Sequence, residues 1–368
     1  MSDNATKKET LLVCFRSEPV EERLIARIRA AWPEVEIVNV GQRDVADALL
    51  DADYFCGHAK VPVDWERVVE RKRLRWIQSS AAGMDWCLTP PVIASDITIS
   101  TAAGVLSDQV AEHGLALILG WGRNLRSFVR DQFVETNNPD FRRFKRKPTF
   151  DLVERTVGIV GFGGVGRRFS EVVAPFAGKI IATDLYPENK PERVAELWSA
   201  DRLDDLLAES DVVFLSLPLN SDTRGIINAE KLAKMKPGAL LANLARGPIV
   251  ETSALVDALA SGRLGGAVMD VTSPEPLPAE HPLWNFENVL ITPHVAGQIR
   301  WRFDDVCDVF CENVRRFRAG EPLINRLSPL GKKLGFPLRD GTTPLWIDVK
   351  KQFSTRKTSA DVAFQRTY

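Results

Sequence analysis

Val157-Gly158-Ile159-Val160-Gly161-Phe162-Gly163-Gly164-Val165-Gly166 sets an apolar, β-branched strand against a G-x-G-x-x-G turn, with a helix-compatible segment behind it. The order strand, glycine turn, helix is more specific than the glycines alone. Gly161 permits the tight turn, Gly163 lets the backbone approach a pyrophosphate, and Gly166 lets the helix pack close to the strand. The helix N-terminus then offers unpaired N–H groups and a positive dipole end to phosphates. A glycine turn inside a core would explain the glycines by themselves. The context downstream favours a dinucleotide site: a second strand, Lys179-Ile180-Ile181-Ala182-Thr183, ends at Asp184, 18 residues past Gly166. A ribose-binding acid is expected at a spacing of roughly 20 residues.

Asp184 also bears on which dinucleotide is taken. A carboxylate at that strand end accepts hydrogen bonds from both adenosine ribose hydroxyls and repels a 2′-phosphate. No Arg or Lys immediately follows in Asp184-Leu185-Tyr186-Pro187-Glu188, so NAD is favoured over NADP. The competing readings are that Asp184 caps a loop, or that Lys190 or Arg193 folds back toward a phosphate.

Outward from this turn, 137 residues from Thr156 to Thr292 read as one doubly wound unit. Its further strands are Asp211–Ser216, Ala239–Asn243, Ala267–Met269 and Val289–Thr292, separated by helical segments near 203–208, 229–235 and 253–261. Before it, Leu11–Phe15, Val35–Val38, Asp53–Cys56 and Leu74–Gln78 alternate with a helix over Glu21–Ala31, which implies a separate small parallel α/β unit. One long helix is expected from Ser107, with Val110, Leu117, Trp121, Leu125 and Phe128 at three-to-four spacing, ending before Asn137-Asn138-Pro139-Asp140. The basic run Arg142-Arg143-Phe144-Lys145-Arg146-Lys147-Pro148 reads as a solvated loop. A helix after Gly297, with Phe303, Val306, Phe310, Val314 and Phe317 on one face, would return the chain to the first unit. The last 38 residues, Gly331–Tyr368, show no clear period and a basic balance; a wrap around a partner subunit and partial disorder both suit them.

The 368 residues allow two domains with sizeable cores. A formal net charge of −1 gives no electrostatic case for nucleic acid or a membrane surface. No stretch approaches the roughly 20 apolar residues of a membrane span, and the polar start Met1–Glu9 has no signal-peptide core. Five scattered cysteines (Cys14, Cys56, Cys87, Cys307, Cys311) read as reduced core thiols of a cytoplasmic protein, with no metal site expected.

Three polar residues follow strand candidates: Arg246 in Asn243-Leu244-Ala245-Arg246-Gly247, Glu275 in Asp270-Val271-Thr272-Ser273-Pro274-Glu275-Pro276, and His294 in Thr292-Pro293-His294-Val295-Ala296-Gly297. In a parallel sheet all three loops leave the carboxyl edge, where ligands bind. Hydride transfer to a 2-keto acid needs these groups. A guanidinium binds the substrate carboxylate and polarises the carbonyl. An imidazolium gives a proton to the forming alkoxide, and a carboxylate orients the ring and stabilises its charged form. Alone, each residue has a plainer explanation: a surface ion pair, a solvated Glu, a strand-end cap. Their coincidence beside a dinucleotide turn favours catalysis. His58, His113 and His281 have no comparable setting and read as structural or surface residues.

With these blocks, Met235-Lys236-Pro237-Gly238, Ser261-Gly262-Arg263-Leu264 and His281-Pro282-Leu283-Trp284, the chain resembles the D-isomer-specific 2-hydroxyacid dehydrogenases from about Leu11 to Arg326. The resemblance implies an NAD-dependent homodimer acting on small 2-keto or 2-hydroxy acids such as glyoxylate, hydroxypyruvate or pyruvate. It implies a Rossmann domain (109–297) inserted into a flavodoxin-like substrate domain (1–108 with 298–330), leaving a tail, 331–368, without an assigned role. Arg246, Glu275 and His294 become the catalytic trio. Cofactor contacts fall to Gly161, Gly163, Gly164, Val165, Gly166 and Asp184, to Pro218, Thr223, Leu244 and Ala245, and to Asp270 at the nicotinamide carboxamide. Backbone amides of Ala82-Gly83-Met84 take the substrate carboxylate, with Arg246. Pro248, Thr272 and the lack of a Trp in 142–150 depart from the common pattern and bear on substrate choice. Formate oxidation is disfavoured, because relatives with that activity carry an amide where Glu275 stands. Phosphoglycerate is disfavoured by the short tail. An NAD(H)-sensing corepressor or scaffold on the same fold is the alternative reading.

Overall fold

The computed structural model describes residues 8–15, 18–134, 148–299, 302–338 and 343–349. The polar start, the turn at 137–140, the basic residues 142–147 and the chain after 349 lie outside the described residues.

The first unit runs β1 (Thr10–Cys14), α1 (Glu22–Ala31), β2 (Glu36–Asn39), α2 (Val45–Ala48), β3 (Tyr54–Gly57), α3 (Trp65–Glu70), β4 (Trp76–Ser79), α4 (Pro90–Ala94) and β5 (Thr98–Ser100). Its five parallel strands stand in the order β2-β1-β3-β4-β5, the flavodoxin-like arrangement. β1, β3 and β4 are buried along nearly their whole length, as strands covered by helices on both faces must be. β5 has no sequence signal of its own: Thr98-Ile99-Ser100 holds one apolar residue and is a strand only because β4 pairs with it.

Two helices follow where the spacing predicts one: α5 (Ser107–Gly122) and α6 (Leu125–Val134). The break is at Asn124, which takes a left-handed φ of 56° and donates its side-chain amide to Pro148 O at 2.8 Å. Asparagine tolerates that conformation better than most residues. The apolar stripe continues in register across the break, so periodicity alone does not reveal it.

The second unit is β6 (Thr156–Val160), α7 (Gly164–Val173), β7 (Lys179–Asp184), β8 (Glu196–Ser199), α8 (Leu203–Glu209), β9 (Val212–Leu215), α9 (Ala229–Lys234), β10 (Ala239–Asn243), α10 (Thr252–Ala260), β11 (Leu264–Met269) and β12 (Val289–Ile291). Its seven parallel strands run β12-β11-β10-β9-β6-β7-β8, so the order reverses at β6, a Rossmann arrangement. β8 is an edge strand with both end residues exposed, too polar to read as a strand. β11 begins three residues earlier than its apolar run because Gly265 and Gly266 lie against Gly238 and Trp121, where a Cβ has no room. α5 packs against α7, with Ala111 and Ile118 in the core of this unit.

α11 (Arg302–Ala319) returns to the first unit and packs on α1 through Val306, Phe310 and Val314. Two short helices complete the described chain, α12 (Pro329–Leu334) and α13 (Trp346–Val349). Trp346 is buried in the core of the first unit. The described part of the tail is therefore packed structure; its pieces are too short to show a period. The fold is thus two doubly wound parallel-sheet domains, the Rossmann unit inserted into the flavodoxin-like one.

No helix among the described residues is long and apolar enough to cross a membrane. All five cysteines are free thiols, and burial holds Cys56 and Cys87 well above the ordinary thiol range.

Candidate active site

The turn after β6 is built as its glycines predict. Gly161 has φ 88°, and a Cβ there would stand 2.9 Å from Leu217 N. Gly166 leaves no room for a Cβ against Gly161 O, which fixes how closely α7 approaches its strand. Gly163, the N-cap of α7, has open space where a Cβ would project, so backbone N–H groups of the first turn are reachable by a phosphate. Gly164 faces the other unit, 3.1 Å from Gly104 by the same test. At the end of β7, Asp184 Oδ2 accepts from Phe162 N at 2.6 Å and Oδ1 from Tyr186 N at 2.9 Å. Each carboxylate oxygen keeps a lone-pair site for a ribose hydroxyl. A cavity of about 110 Å³ lies between Gly164, Asp184 and Tyr186 on one side and Gly104 and Asn325 on the other. Turn, helix end and acid suit the phosphate and ribose of a dinucleotide. Thr223 Oγ1 donates to Pro218 O at 2.7 Å and closes the neighbouring loop.

The three loops at the carboxyl edge interlock. A Cβ on Gly247 has no room against Thr272 O, so the loop of Arg246 lies directly on the loop of Glu275. Thr252 Oγ1 donates to Ser273 O at 2.8 Å across the same seam. His294 Nδ1 donates to Glu275 Oε1 at 2.6 Å, with both side chains partly open to solvent. Half-burial pushes the Glu275 carboxyl up. The hydrogen bond and charge of His294, the Thr272 N–H and the field of Arg246 outweigh that and hold it below the usual range. With Nδ1 as donor, the neutral ring keeps Nε2 as an acceptor.

His294 has φ 55°, an uncommon backbone state for a non-glycine residue. Asp270 holds it there. Asp270 O accepts His294 N at 2.8 Å, Oδ1 accepts Val295 N at 2.9 Å and Thr292 Oγ1 at 2.6 Å, and Oδ2 accepts Ala296 N at 2.8 Å. Asp270 is 2% exposed. It anchors the histidine loop first, and Oδ2 keeps one lone-pair site for a carboxamide. His113 on α5, read from sequence as a structural or surface residue, completes this cluster: its Nε2 is 2.9 Å from Thr292 Oγ1 and 3.5 Å from Asp270 Oδ1.

Arg246 reaches across the cleft. Nε donates to Asp85 Oδ1 at 3.1 Å and Nη1 to Ala245 O at 2.8 Å, while Nη2 lies over Gly83. Leu244 and Ala245 are buried beneath it. Ala82 is exposed and Gly83 half-buried, whereas the Met84 side chain is in the core of the first unit, so Met84 offers the cleft only its backbone. Asp85 has no sequence signal; it is recognisable only once Arg246 is beside it. His58 stacks on Trp86, ring centroids 5.0 Å apart. Burial, then the charges of Lys60, Arg302 and Arg246, push its pKa down to about 4. His281 caps the short turn Pro282–Asn285 by accepting Leu283 N at 3.3 Å, away from the trio's hydrogen bonds.

Residues 115–296 match the family described as D-isomer specific 2-hydroxyacid dehydrogenase, NAD binding domain. The glyoxylate reductase of Pyrococcus furiosus is 30% identical over 313 residues, 83% of this chain and 91% of that protein. The glyoxylate reductase of Thermofilum pendens is 37% identical over 238 residues, 64% of this chain and 69% of that protein. A crystal structure of a D-isomer specific 2-hydroxyacid dehydrogenase from Xanthobacter autotrophicus Py2, in complex with NADPH and MES, superposes with a TM-score of 0.70 at 28% identity. That alignment covers 88% of this chain and 99% of the other.

Proposed function

Because the chain belongs to the D-isomer specific 2-hydroxyacid dehydrogenase family, we propose that it interconverts a small 2-keto acid and its D-2-hydroxy acid with NAD(H), glyoxylate and hydroxypyruvate being the substrates of choice. The observation that carries this reading is the 2.6 Å His294–Glu275 pair, set on interlocked loops beside an arginine that reaches the opposite unit.

Arg246 binds the substrate carboxylate and draws electron density from the keto oxygen, and the backbone of Ala82-Gly83-Met84 takes the other carboxylate oxygen. The nicotinamide, when bound, supplies the hydride to the substrate's C2 or takes it back. His294, protonated, donates from Nε2 to the oxygen as it becomes an alkoxide; in the oxidation, neutral Nε2 takes that proton. Glu275, held ionised, fixes the ring through Nδ1 and balances the imidazolium charge. Asp270 keeps the histidine loop in its strained backbone state, and its remaining lone pair would hold the carboxamide. Gly161, Gly163, Gly164, Val165 and Gly166 would hold the pyrophosphate and Asp184 the adenosine ribose, with Pro218, Thr223, Leu244 and Ala245 as further coenzyme contacts.

We assign 1–108 with 298–330 to the substrate domain and 109–297 to the coenzyme domain, and a homodimer as the assembly, as the likeness to the family implies. Five free thiols support a cytoplasmic site of action. No observation favours the dinucleotide-sensing alternative.

Purified protein given NADH and a panel of 2-keto acids tests the proposal. Oxidation of NADH with glyoxylate or hydroxypyruvate, yielding the D-hydroxy acid where the product is chiral, is the expected result. NADH binding without turnover on any member of the panel would overturn it.

A further inference from the structure

After α11 the chain crosses from one unit to the other. Asn325 stitches its path: Nδ2 donates to Thr101 O at 3.0 Å and Ala103 O at 2.9 Å, N donates to Pro344 O at 2.8 Å, and Oδ1 accepts Trp346 N at 2.9 Å. α12 is then bonded on both sides of the cleft. Lys332 Nζ donates to Ser95 O of the first unit at 2.7 Å, and Leu334 O accepts Asn220 Nδ2 of the second at 2.8 Å. Gly335 ends α12 with φ 82°, and the chain turns back over the coenzyme turn. Phe336, Pro337 and Leu345 complete the wall of the cavity that Gly164, Asp184 and Tyr186 line from below.

We propose that Phe336, with Pro337 and Leu345, forms the outer wall of the adenosine half of the coenzyme site, so that tight dinucleotide binding depends on this C-terminal strap. The proposal rests on the dinucleotide reading of the cleft and adds residues to it. The chemistry of the wall suits that occupant. Asp184 presents carboxylate oxygens to a ribose diol, while the Phe336 ring and the Pro337 and Leu345 side chains present apolar surface to a base. Among the described residues that line this cavity the one charged side chain is Asp184, so a 2′-phosphate there would meet a carboxylate.

Calorimetric titration of Phe336→Ala with NADH and with ADP-ribose tests this. Both dissociation constants should rise by about tenfold, the scale of a lost aromatic contact, while nicotinamide mononucleotide binds as to the unaltered protein. Hydrogen exchange on the unaltered chain gives a second readout independent of the variant's folding: ADP-ribose should slow the amides of 335–338. Unchanged affinities in a folded Phe336→Ala, or protection confined to 161–167, would overturn the strap. If the unaltered protein binds neither NADH nor ADP-ribose, the dinucleotide reading itself fails, a distinct result.

Discussion

The guanidinium of Arg246 occupies the volume that a Cβ on Gly83 would fill. The two residues are 163 positions apart and belong to different sheets. The contact therefore ties the substrate cleft to the closeness of the two units: the arginine reaches its place only because position 83 has no side chain.

Gly83→Ala is the sharpest test of that contact. The added methyl meets the end of a flexible side chain and not a backbone, so the fold should tolerate it and the melting temperature should hold to within a few degrees. The guanidinium must swing away and give up its 3.1 Å bond to Asp85. Misplacing a substrate-binding group by about 1 Å costs on the order of 100-fold, so kcat/KM for the keto acid should fall by about that factor. Wild-type kcat/KM in the alanine variant would remove Arg246 from substrate binding.

Glu275→Gln separates orientation from charge. The glutamine oxygen can still accept from His294 Nδ1, but the negative charge is gone. The interaction with His294 helps to hold the Glu275 carboxyl below its ordinary range, so an ionised carboxylate faces the ring. Keto-acid reduction should slow by about 100-fold or more, in kcat and not through KM. A variant with wild-type kcat would show that the carboxylate does no more than position the ring.

Asp184→Ala should weaken NADH binding and narrow the gap between NADH and NADPH. Two backbone N–H groups, Phe162 and Tyr186, lose their acceptor in this variant, so affinity alone could fall for structural reasons. The ratio of kcat/KM for the two coenzymes is therefore the informative quantity. If NADH and NADPH lose equally, Asp184 serves the loop and not the ribose.

The parts of this arrangement legible in the sequence are those whose physics is local. Gly161 and Gly166 announce a turn and a close approach, and the structure gives one a positive φ and the other no room for a Cβ. Arg246, Glu275 and His294 each stand a few residues beyond a strand, so the parallel sheet delivers them to one edge. The hidden parts are those made by tertiary contact. Asp85 matters because Arg246 arrives from the other unit. His113 matters because β11 and β12 bring Asp270 and Thr292 to α5. β8 is half-exposed and polar at its ends, and the strap's short helices are too brief to declare a period. The kink at Asn124 leaves the hydrophobic stripe intact, so only the backbone records it.

His58 links this site to acid stability. Its folded pKa is about 4, against an ordinary value near 6.5, chiefly because it is buried and then because the charges of Lys60, Arg302 and Arg246 outweigh that of Asp85. The unfolded chain thus binds a proton between pH 6.5 and 4 that the native protein refuses, and stability must rise with pH through that window. At pH 5 the penalty is about 2 kcal/mol; above pH 7 it vanishes. Phenylalanine at this position keeps a ring against Trp86 and has nothing to protonate. His58→Phe should therefore match the wild type in urea denaturation at pH 8 and exceed it at pH 5 by roughly that amount. Equal stability of the two proteins at pH 5 would mean that His58 takes up its proton in the native state, and that the cleft tolerates a fourth positive charge beside Arg246.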